Sequence, residues 1–335
     1  MKQSFTVSPV RTFRLSLSAL AMLAASMPVA QAQVPAGWPA KPIRLINPFA
    51  PGGAVDVTAR SLGTALGEAL GTQVVIENRG GAGGMLGVDA AAKAAPDGYT
   101  LVVGTVGPMA ISPALTRKMP YDPVRDLAPI SRAADTINLL VVHPSLPVQS
   151  VKELVALAKA RPNELLYASA GVGANDHLAG ELFNALAGTK ITHVPYKGGA
   201  PAMLDLIGGQ VQVYFASYAT ARPQMDAKKV RALGLTRRQR FELLPDLPTI
   251  DEAGVKGFEV ANWYGIFAPA GIPKDILTRL NREIVRALAQ PDVKSRMLQG
   301  GVVAVSSTPE ELGQFHRMEM EKWAKVIRDA KVTPE

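Results

Sequence analysis

The sequence predicts an α/β fold built in two lobes. Three observations carry that expectation. Short runs rich in branched residues alternate with segments whose apolar residues recur at helical spacing, which is the pattern of β-α-β units. The alternation comes in two blocks, and a last block of one strand and two helices is too thin to form its own core. The chain is also long, 335 residues, and contains no cysteine, so it favours two domains that are held by packing and not by disulfides.

The chain opens on a leader, residues 1–32. Lys2, Arg11 and Arg14 give a positive start, and Leu15 to Ala25 is an apolar run too short to cross a bilayer. Ala30-Gln31-Ala32 is a small-x-small cleavage site, which puts the mature start at Gln33 and marks an exported chain. The formal charge is +8. The leader carries three of the basic residues and no acid, leaving an excess of +5 spread along the remainder. The densest basic run, "RRQR" at 237–240, lacks interleaved aromatic residues and reads as a solvated turn, not a nucleic-acid surface.

Along the mature chain, "IRLIN" (43–47) is the first strand. Val55, Ala59, Leu62, Leu66 and Leu70 then mark one face of a helix that Gly71 ends. "QVVIEN" (73–78) and "YTLVVGT" (99–105) are strands, with a small-residue helix between them that stops before Pro96. "INLLVVHPS" (137–145) opens the second block. Ser150 and Glu153 have capping-box spacing ahead of a helix. Strands at 165–170, 191–196, 211–217 and 230–236 alternate with helices at 177–186 and 201–209, so the sheets are expected to be parallel and covered on both faces. "WYGIFAPAG" (263–271) is the last strand. Helices from Pro273 to Ala289 and from Pro309 to about Asp329 follow, the second opened by the Thr308–Glu311 capping box. This last block closes the first lobe from the far end of the chain. The expected division is 33–136 plus 262–335 for lobe 1 and 137–261 for lobe 2, joined by two crossover strands.

"NPFAPGGAVDVTAR" (47–60) runs from a strand through two glycines into a helix. The first amides of a helix lack internal partners, and the helix dipole places partial positive charge there. Gly52 and Gly53 let a ligand approach, and Pro51 stiffens the turn, so the loop reads as an anion seat or as an ordinary tight turn. "ASAGVGANDHLAGELF" (168–183) repeats the arrangement in the other lobe. Asp56 either braces loop amides or meets the ligand directly; His177 either bonds a ligand or the neighbouring loop. The third glycine cluster, "NRGGAGGMLG" (78–87), lacks dinucleotide spacing and reads as a rim turn. No histidine pair has metal-ligand spacing. No cofactor and no metal are expected.

"WPAKPIRLINPFAPGGAVDVTAR", "VVIENRGGAGGMLG", "PDGYTLVVGT", "HVPYKGGAPAMLDLIGGQV", "LPDLPTIDEAGVKGFE" and "WYGIFAPAGIP" together resemble the Bug family of periplasmic receptors for tripartite tricarboxylate transporters. The resemblance spans nearly the whole mature chain. It implies a two-lobe periplasmic-binding-protein fold with a hinged cleft, a small carboxylate as ligand, membrane permease subunits as partners and no enzymatic activity. By position it carries over Phe49, Pro51, Gly52, Gly53, Asp56 and Thr105 from the first lobe, and Ser169, Gly171, Gly173, Asn175, His177 and Ser217 from the second. The family's usual strand-end acid is replaced by Ala216, which leaves room for a more apolar ligand. The protein is expected to be a periplasmic monomer. Two other readings stay open: a carboxylate sensor with a membrane signalling partner, and a secreted hydrolase using Ser169 and His177.

Overall fold

The computed structural model describes residues 1–4, 6 and 37–329; the apolar run and cleavage site of the expected leader lie outside them. The chain divides into two compact units, Met1–Gln33 and Val34–Glu335. Among the described residues, every strand and helix belongs to the second.

The first sheet begins with β1 (Ile43–Asn47), α1 (Ala54–Leu70), β2 (Val74–Asn78), α2 (Met85–Ala92) and β3 (Thr100–Thr105). A π-turn, Gly107–Ile111, runs into α3 (Ser112–Leu115), and β4 (Leu127–Thr136) passes through Ile137 alone into β5 (Asn138–Val142) of the second sheet. That sheet continues through α4 (Val151–Ala160), β6 (Leu166–Ser169), α5 (Asn175–Ala187), β7 (Thr192–Pro195), α6 (Gly199–Ile207), β8 (Val213–Ser217), α7 (Tyr218–Asp226) and β9 (Arg231–Leu235). The chain then returns to the first sheet with β10 (Asn262–Pro269), α8 (Lys274–Ala289), α9 (Pro291–Gln299), β11 (Val302–Ala304) and α10 (Pro309–Asp329). The strand orders are β11-β4-β10-β3-β1-β2 and β7-β6-β8-β5-β9.

The sheets are mixed, where parallel ones were expected. β1 pairs parallel with β2 and β3, and β6 with β7 and β8, but β10 runs antiparallel to β3 and β4, and β5 to β8 and β9. The reversed strands are those at which the chain changes sheets. A strand that crosses directly has no crossover helix to turn it parallel to its neighbour. The sequence also missed α3, α7, α9 and β11, and read β4 only in part, as a crossover strand near 132–142. Pro223 lies inside α7 and masks its helical pattern, whereas Pro291 at the first position of α9 was a start signal left unread.

Apolar faces assemble three buried clusters. One packs α1, α8 and α9 on one face of the first sheet. Another packs α6 and α7 on the outer face of the second sheet. The third is continuous between the sheets, joining Val102, Phe267 and Trp323 to Leu140, Tyr167 and Phe215. The Ser150 cap forms as expected, with its hydroxyl accepting the Glu153 N–H at 3.2 Å, and the Thr308 hydroxyl accepts the Glu311 N–H at 3.1 Å.

Both crossings are tied to one side chain. Asn175 accepts a hydrogen bond from the Asn138 amide at 2.9 Å, beside the first crossing, and donates to the Ala261 carbonyl at 3.1 Å, beside the second. Ile137 itself is fixed by donating to the Gly301 carbonyl at 2.9 Å and accepting from the Tyr218 N–H at 2.8 Å.

Candidate functional site

Between the two sheets lies a half-open pocket with a cavity volume of about 70 Å³. Four helix starts reach its wall. Gly53, Ala54 and Val55 come from α1, Ala174, Asn175 and Asp176 from α5, Gly199 from α6, and Ser217 and Thr220 from α7. The residues at the N-caps of α1, α5 and α6 are Gly53, Ala174 and Gly198, and none makes a side-chain cap bond. Glycine and alanine have no oxygen to offer, so the first-turn amides of α1 and α6 have no cap of their own, whereas in α5 the Asp176 carboxylate takes the His177 N–H at 3.0 Å. α7 differs: the Ser217 hydroxyl accepts from the Thr220 N–H at 3.4 Å and bonds the Thr220 hydroxyl at 2.9 Å.

The rest of the wall mixes polar and apolar groups and carries no charge apart from Asp176. Thr105, Asn138, Tyr214, Asn262 and Tyr264 contribute hydroxyl and amide groups, and Phe49, Ala50 and Phe215 contribute apolar surface. Among the described residues, no lysine, arginine or histidine lines this cavity. Convergent helix starts are therefore its source of positive potential, and such a site suits an organic anion. Burial pushes the Tyr264 phenol above its usual range and the Tyr214 phenol well above it, so both remain hydrogen-bond donors at neutral pH.

Of the sequence-derived site residues, Phe49, Gly53, Thr105, Asn175 and Ser217 lie on the cavity wall. Pro51, Gly52, Asp56, Ser169, Gly171, Gly173 and His177 do not. Asp56 is occupied in bracing: its Oδ2 accepts the Gly52 N–H at 3.1 Å, and both oxygens take the Arg60 Nε at 3.0 and 2.9 Å. Ser169 is fully buried; its hydroxyl meets His193 Nε2 at 2.6 Å and accepts the Gly171 N–H at 3.1 Å. His177 accepts the Gly173 N–H through Nδ1 at 3.2 Å and stacks on His193 with ring centroids 4.1 Å apart. Desolvation holds these imidazoles neutral, down to about 4 for His177 and, with the neighbouring His177 adding, about 3 for His193. The partner of the Ser169 hydroxyl is thus His193 and not His177. Ala216 is fully buried in the cluster beneath α6 and α7, so it opens no space for a ligand; its neighbours Phe215 and Ser217 face the cavity.

Gly171 and Gly173 belong to a seam beside the cavity, where the glycine cluster at 78–87 meets the loop before α5. A Cβ on Gly83 would stand 2.0 Å from the Val172 carbonyl oxygen, and one on Gly171 would stand 2.8 Å from the Gly83 nitrogen. A Cβ on Gly107 would stand 2.9 Å from the Gly173 carbonyl oxygen, and one on Gly198 would stand 2.9 Å from the Ala50 nitrogen. Only glycine lets main chains approach this closely. Among the described residues, no backbone hydrogen bond outside helices and strands crosses this seam.

Sequence reasoning missed Asn138, Asp176, Tyr214, Thr220, Asn262 and Tyr264 as wall residues. A usable signal existed for Thr220, since Ser217-x-x-Thr220 before a helical segment has the spacing of an N-cap contact.

The sequence matches the protein family described as "Tripartite tricarboxylate transporter family receptor" over residues 58–332. It is 38% identical to Protein BugT of Bordetella pertussis over 293 residues, 87% of this chain and 90% of that one. Among solved structures, R. palustris Rpa4515 with adipate superposes with a TM-score of 0.87 at 37% identity, covering 89% of this chain and all of that one. MatC of Rhodopseudomonas palustris with bound malate gives 0.83 at 34% identity, covering 87% and 100%.

Proposed function

The chain belongs to the receptor family of tripartite tricarboxylate transporters, and is of the Bug type; from that premise we propose that it captures a small carboxylate in the cavity between its sheets and delivers it to membrane permease subunits. The observation that carries this reading is the convergence of helix starts, those of α1 and α6 uncapped, on a cavity without cationic side chains. Main-chain amides of α1 and α5 hold the guest's carboxylate, and Thr105, Asn175 and Ser217 orient the rest. Relatives that carry adipate and malate support this ligand class.

The lobes are 33–136 with 262–335 and 137–261, and the two sheets with the direct β4–β5 crossing support that division. Closure brings the glycine seam together, and a seam without backbone hydrogen bonds adheres weakly, so the guest supplies the bias toward the closed form. A ligand shifts such an equilibrium only by its difference in affinity for the two states. The leader directs the chain to the periplasm and is removed, and the mature receptor acts as a monomer. It is a binder and not an enzyme: Ser169 is sealed from the cavity, where a nucleophile needs access to its substrate.

Calorimetry on protein freed of co-purified ligand, with a panel of mono- and dicarboxylates, tests the reading. Saturable binding of at least one acid, with uncharged amide analogues inert, is expected. A panel with no responding acid contradicts it.

A further inference from the structure

The cavity that receives an anion holds a carboxyl of its own. Asp176, the second residue of α5, lines the wall and is 7% exposed. Its Oδ2 accepts the Ala170 N–H at 2.8 Å, and its Oδ1 accepts the His177 N–H at 3.0 Å. The Tyr214 phenol approaches the same carboxyl from β8. These donors fix its position against the wall, yet among the described residues no cation acts on it. A guest carboxylate seated on the helix starts of α1 and α5 shares this small space. Two carboxylates side by side without a cation cannot both stay ionised, and sharing one proton relieves the repulsion.

The groups around Asp176 leave it as the site of that proton. Tyr167 on β6, Tyr214 on β8 and Tyr264 on β10 are all pushed up by burial and stay protonated. His177 on the same helix and His193 on β7, stacked on it, are pushed down and stay neutral. Glu181, further along α5, is engaged by the Tyr167 hydroxyl at 2.6 Å. Burial raises the Asp176 carboxyl itself to about 7, and a neighbouring anion raises it further.

We propose that Asp176 is a ligand-contacting acid: in the bound state it is a neutral carboxyl that donates a hydrogen bond to a carboxylate oxygen of the guest, so that capture takes up one proton from solvent. This rests on the organic-acid reading above. It narrows the ligand class to acids whose carboxylate accepts from a neutral carboxyl, and it disfavours guests that place an ammonium there, since an ammonium requires the ionised form.

The sign of the pH dependence is set by that proton. Above the free carboxyl's value of about 7, each bound guest must bring a proton, so affinity falls as pH rises, approaching tenfold per unit. Asp176→Asn keeps an oxygen for the Ala170 N–H, gives up the acceptor of the His177 N–H and offers the guest an N–H that does not titrate. The test is calorimetry with succinate and adipate at about pH 7.5 and about pH 8.5, each in two buffers of different ionisation enthalpy, which counts protons exchanged. The wild type is expected to take up close to one proton at the higher pH and to bind several-fold more weakly there. Asp176→Asn is expected to lose both the uptake and the slope while still binding. Tight acid binding by the wild type with identical heats in the two buffers overturns this proposal and leaves the receptor reading intact. Absence of binding by every acid overturns the receptor reading itself. If the variant fails to fold, the two-buffer comparison on the wild type decides alone.

Discussion

Gly83→Val is expected to hold the protein open and to weaken acid binding by about fivefold or more while leaving its fold intact. Gly83 sits at φ +61°, and its missing Cβ would lie 2.0 Å from the Val172 carbonyl oxygen. That oxygen belongs to backbone, so no flexible side chain can yield to it. Forcing extra atoms into a packed contact costs about 1–3 kcal/mol or more, which is roughly fivefold to more than a hundredfold in affinity when the cost falls only on the closed state. The seam lies outside the three apolar clusters, so the sheets keep their packing. A control separates the clash from the backbone strain. Gly257 has φ +82° with nothing within 4 Å of its missing Cβ, so Gly257→Val carries strain without obstruction. Small-angle scattering with and without acid reads closure directly. Compaction of Gly83→Val to the same degree as the wild type would show that this seam does not govern closure.

Gly53→Asp is expected to abolish acid binding with little change in melting temperature. Gly53 is the N-cap of α1, has extended backbone angles of φ −95° and ψ 178°, and lines the cavity. A Cβ there meets only the Thr220 hydroxyl oxygen, at 3.9 Å, so aspartate fits without strain. Its carboxylate caps the first-turn amides of α1, which differs from glycine by about a few tenths of a kcal/mol in stability. The same carboxylate takes the place of the guest's and repels it, for a loss on the order of a hundredfold. Gly53→Ala, which adds neither charge nor cap, is expected to bind close to normally. Thermal melting and calorimetry on the three proteins give the comparison, and undiminished binding by Gly53→Asp would remove α1 from the site.

These two variants also mark where the sequence was legible. The place of Gly53 on the cavity wall could be read because its signal is local: a β-rich run, a glycine turn and an apolar helical stripe follow one another directly. The second glycine loop looked the same but serves differently. Gly171 and Gly173 lie against Gly83 and Ser112 across the seam, whereas the neighbouring Ala174, Asn175 and Asp176 reach the cavity. A glycine that admits a ligand and one that admits another main chain have the same sequence signature, because both positions merely lack a Cβ. Likewise the cluster at 78–87, read as a rim turn, supplies the other half of that contact.

Asn138 and Asn262 flank the crossings between sheets, and their convergence depends on strand order, which local periodicity does not encode. Tyr214 and Tyr264 sit in buried strands, where an alternating pattern assigns a face but not whether that face meets core or cavity. The mixed sheet directions were hidden even though a crossover strand was expected near 132–142, since the single residue Ile137 between β4 and β5 carries no mark of the direction in which the chain enters the second sheet.

A crystal structure of the protein with adipate tests the central claim most directly. The account predicts one carboxylate of the acid about 3 Å from the main-chain nitrogens that open α1, at Ala54 and Val55, with Thr105, Asn175 and Ser217 around the chain of the guest. Adipate bound elsewhere, with those nitrogens facing solvent alone, would contradict it.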